Sequence, residues 1–299
     1  MVEGKERTMK AINFGDFAHL KAEWRAEVPP PAPAEWGWHH IDTEAASDVL
    51  KAKPAHPFTD GCELCHQMRG SVLSEIKDNG MTYEVLIPCP HCSTLRDRCQ
   101  RITRAKLPAK FDGHAFDWSL VSIAFGKQNT AQDQLMNWAD TVAEGKGAPS
   151  IALLGPTGRG KSHAAFMLAK HLLSRDVPVR WTFWSSLLNK LRSTYDKSSR
   201  EREYDIIEAA LPSRGVLILD DLGEGQNTEW TRGIATRIFE AKPPELTMLV
   251  TSNGHPDDSD ENSLSRMIGT RATSRMFGIC GRGRAVLIFD GDDWRRAEQ

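Results

Sequence analysis

Residues 155–162 read GPTGRGKS, with Gly155, Gly160, Lys161 and Ser162 in the fixed positions of a phosphate-binding loop. No other stretch restricts the chain as much. Glycines at this spacing let the backbone turn so that successive N–H groups converge on phosphate oxygens. The helix that follows adds the positive end of its dipole. The run Gly155, Pro156, Thr157, Gly158, Arg159, Gly160, Lys161, Ser162 and His163 is therefore assigned to ATP or ADP. Lys161 is placed to reach the β- and γ-phosphates, and Ser162 to ligate Mg2+. Such a loop needs a buried strand before it and a helix after it. SIALL (150–154) and SHAAFMLAKHLLSR supply both.

The pattern around the loop sets the fold class. From about residue 115, strand-like apolar runs recur at 150–154, 179–183 (VRWTF), 216–220 (VLILD), 247–251 (TMLVT) and 285–289 (AVLIF). Helical patterns such as TRGIATRIFEA lie between them. Strands alternating with helices predict an α/β domain on a parallel five-stranded sheet with both faces covered.

A phosphate loop needs an acidic partner at the end of a neighbouring strand, and GVLILDDLGEG supplies it. Asp220 is placed to hold Mg2+ as a Walker B aspartate does. Asp221 follows where a general base would orient the attacking water, and it also fits a purely structural carboxylate. A third strand ends in TSN, so Asn253 is a candidate for sensing the γ-phosphate or fixing the water; Asn after a strand is also a common turn residue. Downstream, TRATSRMFG offers Arg271 and Arg275, either for a surface ion pair or for neutralising charge on a neighbouring subunit's nucleotide.

Upstream the chain changes character. PPPAPAEWGWHH (29–40) favours an extended tether. Trp36 and Trp38 at its end fit either the edge of the next module's core or a docking patch. Cys62, Cys65, Cys89 and Cys92 then form C-x2-C-x23-C-x2-C. Each pair can grip one side of a tetrahedral Zn2+ with thiolates. Reduced core thiols and redox chemistry are the alternatives, and His66 or His91 could replace one cysteine as a ligand; a redox motif needs a helix start in a βαβ unit, which neither pair shows. Cys99 and Cys280 read as packing thiols. A module of some 40 residues has too little core to fold without such a staple, and MTYEVLIPC between the pairs is rich in strand formers.

Arg98, Arg101 and Arg104 step by three after the second pair, so a helix places them near one face. They suit a solvated linker or contact with phosphates. Net charge is −2, so any basic surface is local. No apolar run approaches the ~20 residues of a membrane span, and MVEGKERTMK lacks a secretory core. A cytoplasmic protein with reduced cysteines and no membrane partner is expected. The organisation expected is a helical and Pro-rich segment over 1–57, a zinc-binding module over 58–95, a basic linker over 96–114 and the ATPase domain over 115–299.

In this order the pieces resemble the AAA+ ATPases, and within them the DnaC/DnaI-type replicative helicase loaders of bacteria and phages and their IstB relatives. The matching stretches are FGKQNTAQDQL (125–135), LLGPTGRGKSHAA (153–165), VLILDDLG (216–223), TSN (251–253), TRATSRM (270–276) and FDGDDWRR (289–296). The resemblance implies that Phe125 and Asn129 wall the adenine, that Asp221 serves hydrolysis, and that Arg275 rather than Arg271 is the finger in trans. It implies an AAA+ P-loop core without a C-terminal lid, since ten residues follow Phe289. It also implies slow, DNA-stimulated ATP hydrolysis, self-association through the AAA+ domain, contact with single-stranded DNA, and an N-terminal region that binds a hexameric replicative helicase. The cysteine pairs favour a loader acting in replication initiation. The alternative is an IstB-like transposition helper acting on DNA with a transposase.

Overall fold

In the computed structural model, which describes residues 71–78, 81–111, 121, 123, 131–195, 202–290 and 293, every strand-like run of the second half becomes a strand. The described residues fall into two compact units that meet in sequence between Leu95 and Arg96.

The first unit contains a hairpin of β1 (Ser71–Asp78) and β2 (Met81–Pro88). They pair antiparallel from Ser71↔Pro88 to Asp78↔Met81. The two residues between them are Asn79 and Gly80, the pair that tight hairpins select. Helix α1 (Pro90–Ala105) follows at once. Pro90 opens it, where a missing N–H costs nothing.

The second unit is the α/β core. Its strands are β3 (Ile151–Leu154), β4 (Val179–Phe183), β5 (Gly215–Asp220), β6 (Leu246–Ser252) and β7 (Val286–Ile288). They form one sheet in the order β4-β5-β6-β3-β7, every pair parallel. β3, β5 and β6 are buried almost throughout, as strands covered on both faces must be. On one face Leu154, Leu219 and Val250 pack with Leu188 and Leu191 of α4 (Trp184–Ser193), Ile234 and Ile238 of α6 (Glu229–Ala241) and Met276 of α8 (Thr270–Ile279). The alternate strand residues look to the other face. There α3 (Lys161–Ser174) lies against β4 and β6, with α2 (Ala131–Ala143) beside it. Helices α5 (Glu203–Ala210) and α7 (Leu264–Ile268) complete the unit.

The second half of α1 belongs to this core. Cys99, Ile102 and Ala105 are buried. Arg98 donates to the Ser174 carbonyl at 3.1 Å, and Arg101 to Asp176 Oδ1 at 2.6 Å. Two cations thus cap the C-terminal, negative end of α3. Arg104 alone of the three is exposed. The solvated-linker reading therefore fails for Arg98 and Arg101: both are committed to packing this stretch on the core.

Candidate nucleotide site

The sheet order brings the C-terminal ends of β3, β5 and β6 side by side, and the loops leaving them build the site. Three glycines of the phosphate loop hold positive φ: Gly155 at 128°, Gly158 at 84° and Gly160 at 83°. Gly155 also permits a close approach, since a Cβ there would sit 2.3 Å from the Phe289 carbonyl oxygen. At Gly158 a Cβ would meet the Asp293 carboxylate at 1.9 Å. Gly160 starts α3 without a side-chain cap, so the first amides of the helix face the loop unclaimed by a capping residue. Pro156, Thr157 and Arg159 complete the turn between Gly155 and Gly160.

Lys161 is buried, and its Nζ donates to the Pro156 carbonyl at 2.7 Å and to Asn253 Oδ1 at 2.9 Å. The predicted sensor asparagine is thus brought to the predicted lysine. His163 stacks on Phe111 with ring centroids 5.0 Å apart.

Asp220 is wholly buried at the end of β5. Thr251 Oγ1 donates to its Oδ1 at 2.6 Å and accepts the Asp221 N–H at 2.9 Å. Its Oδ2 is buried with no hydrogen-bond partner, which is the free oxygen a metal would need. Burial and the neighbouring Asp221 charge push the Asp220 carboxyl up to about 6, against the opposing pull of the Thr251 and Ser162 hydroxyls and of Lys110. Asp221 holds φ at 56°, an uncommon backbone for a non-glycine residue. Its amide is spent on Thr251, and that turn aims its side chain independently of the strand. Ser252 ties the two strand ends further by donating to the Leu222 carbonyl at 2.6 Å.

Arg271 and Arg275 lie on α8 and share Glu240 of α6. Arg271 reaches Glu240 Oε1 through Nε at 3.0 Å and Nη2 at 2.7 Å, whereas Arg275 approaches it only to 3.5 Å. Phe125, Asn129, Trp36, Trp38, Cys62 and Cys65 lie outside the described residues. Cys89 is buried directly after β2, and Cys92 falls in the first turn of α1. The second pair stands at a strand-to-helix junction, but the strand belongs to an antiparallel hairpin and not to a βαβ unit, in line with the expectation for this pair. Among the described residues no group of three or more metal-ligating side chains converges. Cys99 and Cys280 are buried, and burial pushes the Cys280 thiol up to about 12.

Sequence reading missed two features. Thr251 is one; its signal was the threonine heading TSN. The other is an aromatic pair of an exposed Tyr195 and a half-buried Trp230. Tyr195, 63% exposed after α4, meets Trp230 of α6 at a centroid distance of 6.2 Å, and Trp230 Nε1 donates to the Tyr195 hydroxyl at 2.8 Å. The Arg192 guanidinium lies 5.4 Å from the Trp230 ring centre. An open groove of about 480 Å3 runs beside them, lined by Asn189, Arg192, Gln226, Thr228 and Trp230 among others. Among the described residues no helix is long and apolar enough to cross a membrane.

The sequence model of the IstB-like ATP binding protein family matches residues 77–256. An insertion-sequence ATP-binding protein of Sinorhizobium fredii (strain NBRC 101917 / NGR234) is 30% identical over 108 residues, 36% of this chain. The chain spans only about a third (35%) of the length of that curated relative. Among solved structures, the DnaC helicase loader superposes with a TM-score of 0.43 at 17% identity, over 56% of this chain and 94% of that one. DnaI gives 0.43 at 19% identity, over 64% and 95%. A primosome component from Streptococcus pyogenes serotype M3 gives 0.41 at 21% identity, over 63% and 92%.

Proposed function

This chain belongs to the IstB-like ATP-binding protein family, and on that premise we propose that it is an AAA+ ATPase that loads a replicative helicase onto single-stranded DNA. Lys161 and the loop amides bind the phosphates of ATP. Ser162 and the unpartnered Asp220 oxygen hold Mg2+, which supplies charge neutralisation at the transferred phosphoryl group. Asp221 orients the attacking water, Asn253 reads the γ-phosphate, and Arg275 serves the neighbouring subunit's site. ATP and ADP then favour different assemblies, so that hydrolysis resets the complex. Phe125 and Asn129 are proposed for the adenine.

The observation that carries the DNA part is the Tyr195–Trp230 ledge with Arg192 beside it. Tyr195 is exposed, and Trp230 is half-buried against the core with Arg192 over its ring; an accessible aromatic ring next to a cation suits unstacked bases, each worth about 1–3 kcal/mol. A duplex keeps its bases stacked and offers such a ledge nothing. A filter-binding titration tests this at fixed salt. Replacing Tyr195 and Trp230 by Ala is expected to weaken single-strand binding at least tenfold and to spare duplex binding. Tight duplex binding untouched by the substitutions would instead support a transposition helper, the reading favoured by the insertion-sequence relative. Co-purification of a hexameric helicase or of a transposase separates the two directly.

Cys62, Cys65, Cys89 and Cys92 are proposed to hold a structural Zn2+ in the region that grips the helicase. Cys89 and Cys92 bracket the junction of hairpin and helix, where two thiolates spaced C-x2-C suit one side of a tetrahedral ion. One zinc per purified chain is expected. A metal-free sample with unaltered helicase binding would return the cysteines to packing.

A further inference from the structure

The stretch from the second half of α1 to Phe111 is fastened at both ends of helix α3. Arg98 and Arg101 hold the C-terminal end through Ser174 and Asp176. At the other end a single helical turn, Ala109–Phe111, sits against the phosphate-loop side. There Phe111 stacks on His163, the residue after Ser162, at 5.0 Å and 19° between planes, and tilts against Phe166 at 5.4 Å.

This placement decides where Lys110 goes. Its Nζ stands 4.9 Å from the centre of the Phe111 ring and 5.6 Å from that of Phe183. Phe183 ends β4 and is the register partner of Asp220 on β5. The ammonium therefore hangs at the C-terminal edge of the sheet, one strand from the carboxylate assigned to the metal. Among the described residues Lys110 forms no ion pair, and its side chain is exposed. Two ring faces position a cation weakly without neutralising it. A lysine that only decorated the surface would need no such seat beside the most deeply buried acid of the site.

We infer that Lys110 is a second cation of the nucleotide site, supplied in cis by the segment leading into the core, and that it favours ATP over ADP. The inference rests on the ATP-site reading above. Lys161 approaches from the loop, while Lys110 stands on the β4 side of Asp220; a terminal phosphate held at Lys161 would bring the site negative charge that ADP lacks, within the field of both cations. It is a positioning residue for that charge, held out over Phe183 and Phe111.

The test compares Lys110→Met, which keeps the stem and loses the charge, with Lys110→Arg, which keeps charge and ring contact. Fluorescent ATP and ADP analogues are titrated in Mg2+ into the full chain, and unfolding is followed without nucleotide. Lys110→Met is expected to weaken ATP binding about tenfold and ADP binding less than about threefold. Lys110→Arg should return ATP affinity to near the unsubstituted value, and the nucleotide-free melting curve should not move. Equal losses for ATP and ADP, no loss for either, or failure of arginine to rescue would overturn the inference. Those outcomes leave the site reading intact so long as Lys161→Ala abolishes binding. An unsubstituted chain that binds neither analogue overturns both.

Discussion

Lys161 Nζ donates to Asn253 Oδ1 at 2.9 Å, joining the start of α3 to the residue after β6 across 92 positions of sequence. A lysine meant for phosphate is thereby held extended by a neutral acceptor that it can leave cheaply.

The neutrality of that acceptor is testable. Asn253→Asp would turn the contact into a buried ion pair that competes with the nucleotide, and ATP affinity should fall at least tenfold. Asn253→Ala removes the competitor, so affinity should stay within about threefold while hydrolysis drops by one to two orders of magnitude. Calorimetric titration and a phosphate-release assay read the two quantities. Equal affinity losses in both variants would mean that Asn253 only shapes the loop.

Asp220 predicts a trade of stability for function. Its carboxyl is raised from the ordinary 3.8 to about 6, first by burial and then by Asp221. The folded protein therefore binds this proton more tightly than the unfolded chain does. Below about 3.8 the residue carries no penalty; the cost grows as pH rises through the window to about 6 and is full above it. Two pH units correspond to on the order of 2–3 kcal/mol. Without Mg2+ and nucleotide, Asp220→Asn should raise resistance to urea at pH 7.5 by about that amount, and the gain should shrink toward pH 4. It should also abolish Mg2+-dependent ATP binding. A gain independent of pH would assign the effect to packing.

Much of this was legible beforehand because buried parallel strands announce themselves. VRWTF became β4 over the same five residues, and VLILD gained only Gly215. Their apolar runs are continuous because both faces are covered, and acidic or amide residues break the runs where the sheet ends at the site. The threonine heading TSN could be read, but the role of Thr251 could not, because a hydroxyl shared between Asp220 and the Asp221 amide depends on the lateral register of β5 and β6. The Tyr195–Trp230 pair was hidden for a similar reason: an exposed tyrosine and a half-buried tryptophan 35 positions apart meet only once the chain has folded around the sheet. Arg98 and Arg101 looked like a free basic stripe since nothing local reveals an acceptor at Asp176, 75 positions from Arg101.

Gly155 should tolerate no side chain. Its φ of 128° already excludes L residues, and a Cβ would press to 2.3 Å on the Phe289 carbonyl oxygen. That contact is backbone, and Phe289 in turn donates to the Leu154 carbonyl at 2.7 Å. Gly155→Ala must therefore push β7 from β3 or deform the loop, at a cost of about 2–4 kcal/mol. Gly147→Ala is the control. Its φ is 71° with nothing within 4 Å of the added carbon, so only about 1 kcal/mol of backbone strain is expected. Thermal unfolding of the two variants side by side distinguishes close approach from conformation alone.

Arg271 and Arg275 should separate cleanly although they share Glu240. Arg271 is bound through two nitrogens, and Arg275 is held only at 3.5 Å with its side chain 58% exposed. Arg271→Ala should thus lose at most about 1 kcal/mol of stability, the usual value of an exposed ion pair, with little effect on turnover. Arg275→Ala should leave folding and nucleotide affinity unchanged and cut hydrolysis in the assembled state by a thousandfold or more. Mixing supplies the decisive measurement. Chains with Arg275→Ala keep an intact phosphate loop, and chains with Lys161→Ala keep an intact arginine. Each is inactive alone, so activity regained on mixing requires an arginine of one chain to serve the nucleotide of another. No recovery at any ratio, with assembly verified by light scattering, would leave both arginines as surface partners of Glu240.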